Sequence, residues 1–379
     1  MGVGAYLYPW DVVGDPAAAA RVADLGVDDV VLAAAYHSTR ALTPFHPQHR
    51  IVVARHAAAY YSIDPTRWAG RRLRPSPATW VSGADAFGAA AAAVRDAGLG
   101  VHAWVVLAHN TRLGEAFPDV TVRNAYGDSY PWALCIAQDE VREYAATLVA
   151  EIASRSDIDG FELEACGWYG YDHQSAHDKS GGVPLNAAEE YLFSLCFCSA
   201  CGRGYADAGL DPDELRATVR SRLDDTFTGS DQPVRLDAST ADAVLQMRRR
   251  VGDRFRAEVA EAARPHPVLL HAHPDPQRYG ANVGLDAPTA LKVADGLVLN
   301  CWRDMDDAAA ALAEVAAAAG DGQQVVASFL AIAGMGADLT GLPSRIERAR
   351  AAGATDLRFY HAGLASRADL ATLRQGLRA

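Results

Sequence analysis

The sequence predicts an α/β protein folded as a (β/α)8 TIM barrel. Eight short apolar or β-branched runs recur along its 379 residues, and Ala-rich segments with helical spacing lie between most of them. Alternating strand and helix implies βαβ units and a parallel sheet, and eight units point to closure rather than an open doubly wound sheet. No G-x-G-x-x-G follows the first run, which removes the signature of a dinucleotide-binding fold.

The strand-like runs are 4–8 (GAYLY), 28–35 (DDVVLAAA), 100–107 (GVHAWVVL), 159–165 (DGFELEA), 267–272 (PVLLHA), 295–301 (DGLVLNC), 324–330 (QVVASFL) and 355–360 (TDLRFY). Helical spacing marks 16–25, 84–97, 138–154, 304–319, 342–352 and 366–378. Small residues before several strands, as in AGLGV, DIDGF, VADGL and AGATDL, read as helix ends followed by tight turns. Two stretches exceed the repeat. Residues 36–83, rich in His, Pro and Tyr, form a long excursion after the second strand. Residues 166–265 form a helical insertion after the fourth, with helices at 186–197 and near 240–263, a Cys cluster, and a linker-like stretch at 226–238. Both follow barrel strands, where loops build the active-site face. The whole of 1–379 is expected to be one barrel with these insertions.

Composition narrows the function classes. Half the residues are hydrophobic and 22% are charged, which suits a globular protein with a sizeable core. A net charge of −12 argues against a nucleic-acid footprint. The short arginine groups (Arg71, Arg72, Arg74; Arg248, Arg249, Arg250) read as solvated faces. The N-terminus has no basic region followed by a long apolar stretch, and the alanine runs are too short and too charged to span a bilayer. A cytoplasmic protein without membrane or nucleic-acid partners is expected, and a homo-oligomer is compatible with the composition. Six cysteines in a chain of this length do not make a disulfide scaffold.

The chemistry concentrates at 159–173, DGFELEACGWYGYDH. Side chains alternate along a strand, so Glu162 and Glu164 share one face while Phe161, Leu163 and Ala165 take the other. With the apolar set against the helices, both carboxylates face the barrel axis near its C-terminal end. Charged groups are rarely buried unless paired or functional. Two neighbouring interior carboxylates repel, which raises at least one pKa and makes a proton donor of the kind glycosidases use. The competing reading is that one of them pairs structurally with an inward Arg or Lys.

The run from 135, C-x-x-x-x-E-V-R-E-Y-A, continuing to D-I-D-G-F-E-L-E, resembles the strand-4 region of (β/α)8 glycoside hydrolases and of uncharacterised glycosyl-hydrolase-like proteins. It is similar, more distantly, to G-F-R-x-D of the alpha-amylase clan. That resemblance implies that Glu164 occupies the nucleophile position and Glu162 the preceding interior one. Glu replaces Asp at 164, and Glu replaces Arg or His at 162.

Strand ends on a barrel supply catalytic and binding residues. Here they offer Tyr8, Trp10 and Asp11; Tyr36 and His37; His109 and Asn110; His271, His273 and Asp275; Asn300 and Trp302; Tyr360 and His361. Rings that stack on sugar faces beside polar heads that bind hydroxyls describe a carbohydrate site. Trp168, Tyr169 and His173 extend it above Glu164. No Glu ends the fifth, sixth or seventh strand, so Asp275, Asp304, Asp11 and Glu162 are the candidates for a partner acid.

Cys196, Cys198 and Cys201 (CFCSAC) suit a structural zinc completed by Cys166, His173 or His177, or else pack as buried thiols. The expected function is a glycoside hydrolase acting on a small-molecule or oligosaccharide substrate, with no cofactor required for catalysis. The alternatives are a divalent-metal-dependent sugar isomerase, epimerase or lyase using Glu162, Glu164, His271 and His273, and an inactive sugar-binding barrel.

Overall fold

The computed structural model describes residues 1–171, 179–228 and 234–378. Eight parallel strands form the barrel: β1 (Val3–Leu7), β2 (Asp29–Tyr36), β3 (Gly100–Val106), β4 (Gly160–Glu164), β5 (Val268–His273), β6 (Gly296–Asn300), β7 (Gln324–Leu330) and β8 (Asp356–Tyr360). Each pairs with its neighbours in chain order, and β1 closes the ring by pairing with both β8 (Gly4↔Arg358) and β2 (Ala5↔Val30). The ring has no free edge.

A helix follows every strand: 18–23, 86–96, 139–153, 238–262, 287–290, 305–318, 342–351 and 367–378. Several start at an Asp whose side chain accepts from the first-turn backbone, as Asp85 does from Gly88, Asp237 from Thr240 and Asp304 from Asp306. Gly98 (φ 82°) and Gly353 (φ 97°) make the left-handed turns that return the chain to β3 and β8. Among the described residues no helix is long and apolar enough to cross a membrane.

Inside the ring, Leu269, Val298 and Val326 form a small apolar cluster of their own, separate from the core between strands and helices. Two residues further along, His271, Asn300 and Ser328 reach the mouth, as strand alternation requires. Arg358 crosses the interior beside Gly4, where a Cβ would lie 2.8 Å from Arg358 Cδ. A residue without a side chain at that position is what admits the arginine.

Three excursions rise from the C-terminal face, one more than the sequence suggested. After β2, an antiparallel hairpin (Thr39–Leu42 with Ile51–Ala54) precedes Ala58–Ala59, which adds antiparallel to the end of β2. After β3, a short helix (Thr111–Ala116) leads into a second hairpin, Thr121–Arg123 with Ser129–Leu134. After β4 come helices 187–193, 199–207 and 212–227. The helix at 238–262, assigned above to this insertion, is the barrel's own fourth helix. The arginine groups also divide. Arg72 pairs at the surface with Asp119 and Glu140. Arg248 is instead buried, stacked 4.6 Å from the Trp168 ring, because the helix turns it inward under the insertion.

Candidate active site

The two glutamates face the interior, and their surroundings separate their roles. Glu162 has no exposed surface. Its Oε1 accepts from Arg358 Nε at 2.6 Å and its Oε2 from the Tyr6 hydroxyl at 2.6 Å, with His271 Nε2 at 3.3 Å. Burial alone would push this carboxyl up, but the Arg358 guanidinium, the His271 ring and the Tyr6 hydroxyl outweigh it and hold Glu162 well below the usual carboxylate range. Burial, then the Glu162 charge, push the Tyr6 hydroxyl up, so Tyr6 remains a donor. Repulsion between the carboxylates does not make Glu162 a proton donor, contrary to the expectation from their spacing. The inward cation that neutralises it is Arg358.

Glu164 stands one step nearer the mouth. Its Oε2 accepts from Trp104 Nε1 at 2.9 Å, and it lines a cavity of about 230 Å³. Tyr36, His37, Trp104, Asn282, Asn300, Trp302, Ser328 and Tyr360 form much of the remaining wall. Among the described lining residues Glu164 is the sole carboxylate. The backbone turns left-handed directly after it, at Ala165 (φ 53°), a conformation that costs a non-glycine residue energy and that clusters at functional sites.

The wall alternates rings and hydrogen-bonding heads. The Tyr360 hydroxyl lies 3.4 Å from that of Tyr36 and 3.5 Å from that of Tyr8. The Trp302 ring is 4.8 Å from Tyr360, and the buried Trp302 Nε1 meets no hydrogen-bond partner among the described residues. His37 donates Nδ1–H to the Ser38 carbonyl at 2.7 Å, and burial holds its pKa below the usual histidine range. The neutral ring therefore leaves Nε2 as an acceptor.

No protein-family model matches the chain, and no curated protein matches it in sequence. Solved structures do match in three dimensions. α-L-Fucosidase isoenzyme 2 from Paenibacillus thiaminolyticus aligns with 100% of this chain at 14% identity and a TM-score of 0.61. This chain spans about half of that one (49%). The PgaB (BpsB) glycoside hydrolase domain from Bordetella bronchiseptica aligns over 99% of this chain and 98% of its own at 15% identity, TM-score 0.60. The catalytic domain of β-amylase from Paenibacillus polymyxa aligns over 99% and 97% at 12% identity, TM-score 0.59. The shared feature is the barrel.

Of the residues that sequence placed at the mouth, His37, Glu164, His271, Asn300, Trp302 and Tyr360 line the cavity together. His109 and Tyr169 stack on each other at 4.6 Å, and His109 also stands 4.6 Å from His37, so this pair backs the wall. Asn110 is spent on capping, accepting from Leu113 N–H at 3.0 Å. Trp168 turns away, donating to the Arg248 carbonyl at 2.9 Å. The His273 ring accepts from Asp275 N–H at 3.0 Å, while the Asp275 carboxylate accepts from Gln277 N–H at 2.9 Å. Neither lines the cavity. His173, and His177 with it, lie outside the described residues. Sequence reasoning missed Tyr6, Trp104 and Arg358 because it read strand ends, and these sit deeper within β1, β3 and β8.

Trp10, Asp11 and His361 are buried behind the mouth rather than in it. The chain turns into a short helix at Pro9–Val12, tucking Trp10 against Tyr8 at 4.3 Å, and the His361 ring also stacks on Tyr8, at 4.2 Å. Burial pushes the Asp11 carboxyl up to about 7, although the Tyr8 N–H and Arg21 oppose it, and burial pushes His361 down to about 3. The folded state thus holds the Asp11 proton more tightly than the unfolded chain does. Stability from this group is full below about pH 3.8 and is lost as pH rises toward about 7. Asp11→Asn is expected to remove this part of the decline. Urea midpoints of both proteins between pH 4 and pH 7 check it, and parallel curves would contradict it.

Proposed function

We propose that the chain is a glycoside hydrolase in which Glu164 is the reacting carboxylate. The observation that carries the reading is the position of Glu164: an interior carboxylate that meets no cation among the described residues, steered by one indole N–H, facing a cavity of about 230 Å³ walled by rings and amides. That volume is below the roughly 300–1,000 Å³ of drug-sized pockets, and it suits one sugar ring. Tyr36, Trp302 and Tyr360 offer apolar faces, while Asn282, Asn300, Ser328 and the Trp302 N–H offer partners for hydroxyls. Glu164 serves as nucleophile or as base toward water. Trp104 positions it, and Glu162, Tyr6, His271 and Arg358 form the charged floor beneath. The glycosidase barrels that share this fold are consistent with the proposal and do not by themselves decide it.

The metal-dependent isomerase reading needs a cluster of ligands at the mouth. Among the described residues the His, Cys, Asp and Glu atoms that gather closely enough to hold an ion are four cysteines elsewhere. Glu162 already faces a guanidinium, which repels a cation.

Turnover on a panel of aryl glycosides and disaccharides tests the proposal. Release of free sugar without added divalent ion, persisting through brief chelator treatment, is the expected result. Saturable sugar binding with no turnover across the panel would replace the hydrolase with a binding protein. Trp104→Phe keeps an aromatic ring but removes the N–H together with the pyrrole half of the indole. A hydrogen bond to a charged group contributes about 1.5–3 kcal/mol. On the substrate found by the panel, kcat/KM is therefore expected to fall roughly tenfold to a hundredfold. Because Trp104 is buried, the smaller ring should also lower the melting temperature, so kinetics are compared below the onset of unfolding.

A further inference from the structure

The hairpin after β3 and the insertion after β4 meet at four cysteines: Cys135, Cys196, Cys198 and Cys201. All four are buried, and their sulfurs lie within 4.8 Å of one another. Cys135 Sγ is 3.7 Å from Cys198 Sγ and 3.5 Å from Cys201 Sγ. These separations are far beyond the roughly 2.05 Å of a disulfide. They match the edge of a tetrahedron of sulfurs about 2.3 Å from a central zinc, which is about 3.8 Å.

We propose that these four thiolates bind one structural zinc ion, with Cys135 as the fourth ligand. Cys166, the nearer candidate in sequence, is not in the group. The surroundings suit thiolates. Cys196 Sγ accepts from the Arg123 N–H at 3.4 Å and the Cys198 N–H at 3.5 Å. Cys198 caps the N-terminus of helix 199–207 and Cys201 lies in its first turn, so the positive end of the helix faces the sulfurs. The Arg216 guanidinium donates to the Phe197 carbonyl, between two of the ligands. A closed four-thiolate set leaves no position for substrate, which makes the role structural.

The ion fastens two loops that stand over the barrel mouth. Around it, the Tyr130 hydroxyl of the hairpin donates to the Phe193 carbonyl at 2.9 Å, and Trp132 Nε1 donates to the Gly170 carbonyl at 2.8 Å. Zinc therefore ties the segment that follows Glu164 to the hairpin that follows β3. The inference does not depend on the reaction carried out at the mouth.

Elemental analysis of the full chain, purified without a metal-affinity step, tests it. One zinc per chain is expected in the wild type and in Cys301→Ala, whose thiol lies elsewhere, and loss of the zinc is expected in Cys135→Ser. Should Cys135→Ser fail to fold, titration of the wild type with a mercurial thiol reagent gives the answer. One zinc should be released to a metallochromic dye as four thiols are consumed. Full zinc in Cys135→Ser, a wild-type protein without zinc whose thiols react freely, disulfides among the four, or iron in place of zinc would each overturn the assignment.

Discussion

Glu164→Gln is expected to lower kcat/KM on the best glycoside by at least about 10²–10⁴, the range for losing one positioned proton-transfer group, and by more if Glu164 is the nucleophile. The loss should fall on kcat rather than KM, because the carboxylate matters most when charge develops at the sugar. Gln fills the same space and can still accept from Trp104 through its carbonyl, so the melting temperature should hardly move. Parallel kinetics and thermal melts check both halves. An active Glu164→Gln enzyme would remove the residue on which the functional proposal rests.

Arg358→Met is expected to cost about 3–5 kcal/mol of stability, the usual consequence of leaving one member of a buried ion pair uncompensated. The Glu162–Arg358 pair is essentially without solvent, with side-chain exposures of 0% and 1%, so surface screening does not dilute it. Glu162→Gln leaves the guanidinium unpaired and should also destabilise. The double variant Glu162→Gln with Arg358→Met should lose less than the sum of the two singles. The pH dependence carries a sign. In the wild type the Glu162 carboxyl is held below its ordinary 4.5, so its contribution is present above about pH 4.5 and is lost as pH falls below that. In Arg358→Met, burial acts without the guanidinium and raises the carboxyl. That variant should instead gain stability from this group on mild acidification. Urea midpoints from pH 4 to pH 7 distinguish the two slopes. A cost below about 1 kcal/mol, typical of an exposed pair, would contradict this account of the floor.

The barrel was legible because each strand repeats a short apolar signature and each helix an alanine-rich one, and local signals of that kind survive in a single sequence. The hairpin after β3 was not. Its strands, Thr121–Arg123 and Ser129–Leu134, are short, and Pro131 interrupts the second, so no two-residue period stands out. Cys135 was missed as a ligand because it joins the other cysteines across 61 residues of chain and carries no metal-binding spacing of its own.

The site was legible in part. Strand alternation placed Glu162 and Glu164 on one face, but it could not say which of them meets a cation. Arg358 shares its face with Tyr360 in β8, and only ring closure brings that face opposite β4. Trp10, Asp11 and His361 follow their strands as expected, yet the backbone turns at once and buries them, a feature that residue type does not encode. Asp275, read as a partner acid, instead organises its own turn.

A crystal structure of Glu164→Gln with the hydrolysed glycoside bound tests the central claim most directly. The account predicts the sugar at the barrel mouth against Trp302 and Tyr360, its reacting carbon or an attacking water about 3–3.5 Å from the residue-164 side chain. A hollow of about 490 Å³ in the excursion after β2, walled by Tyr60, Tyr61, Trp68 and Arg74, offers more room but no carboxylate. A sugar seated there, or at the mouth with its anomeric carbon turned away from residue 164, would contradict it.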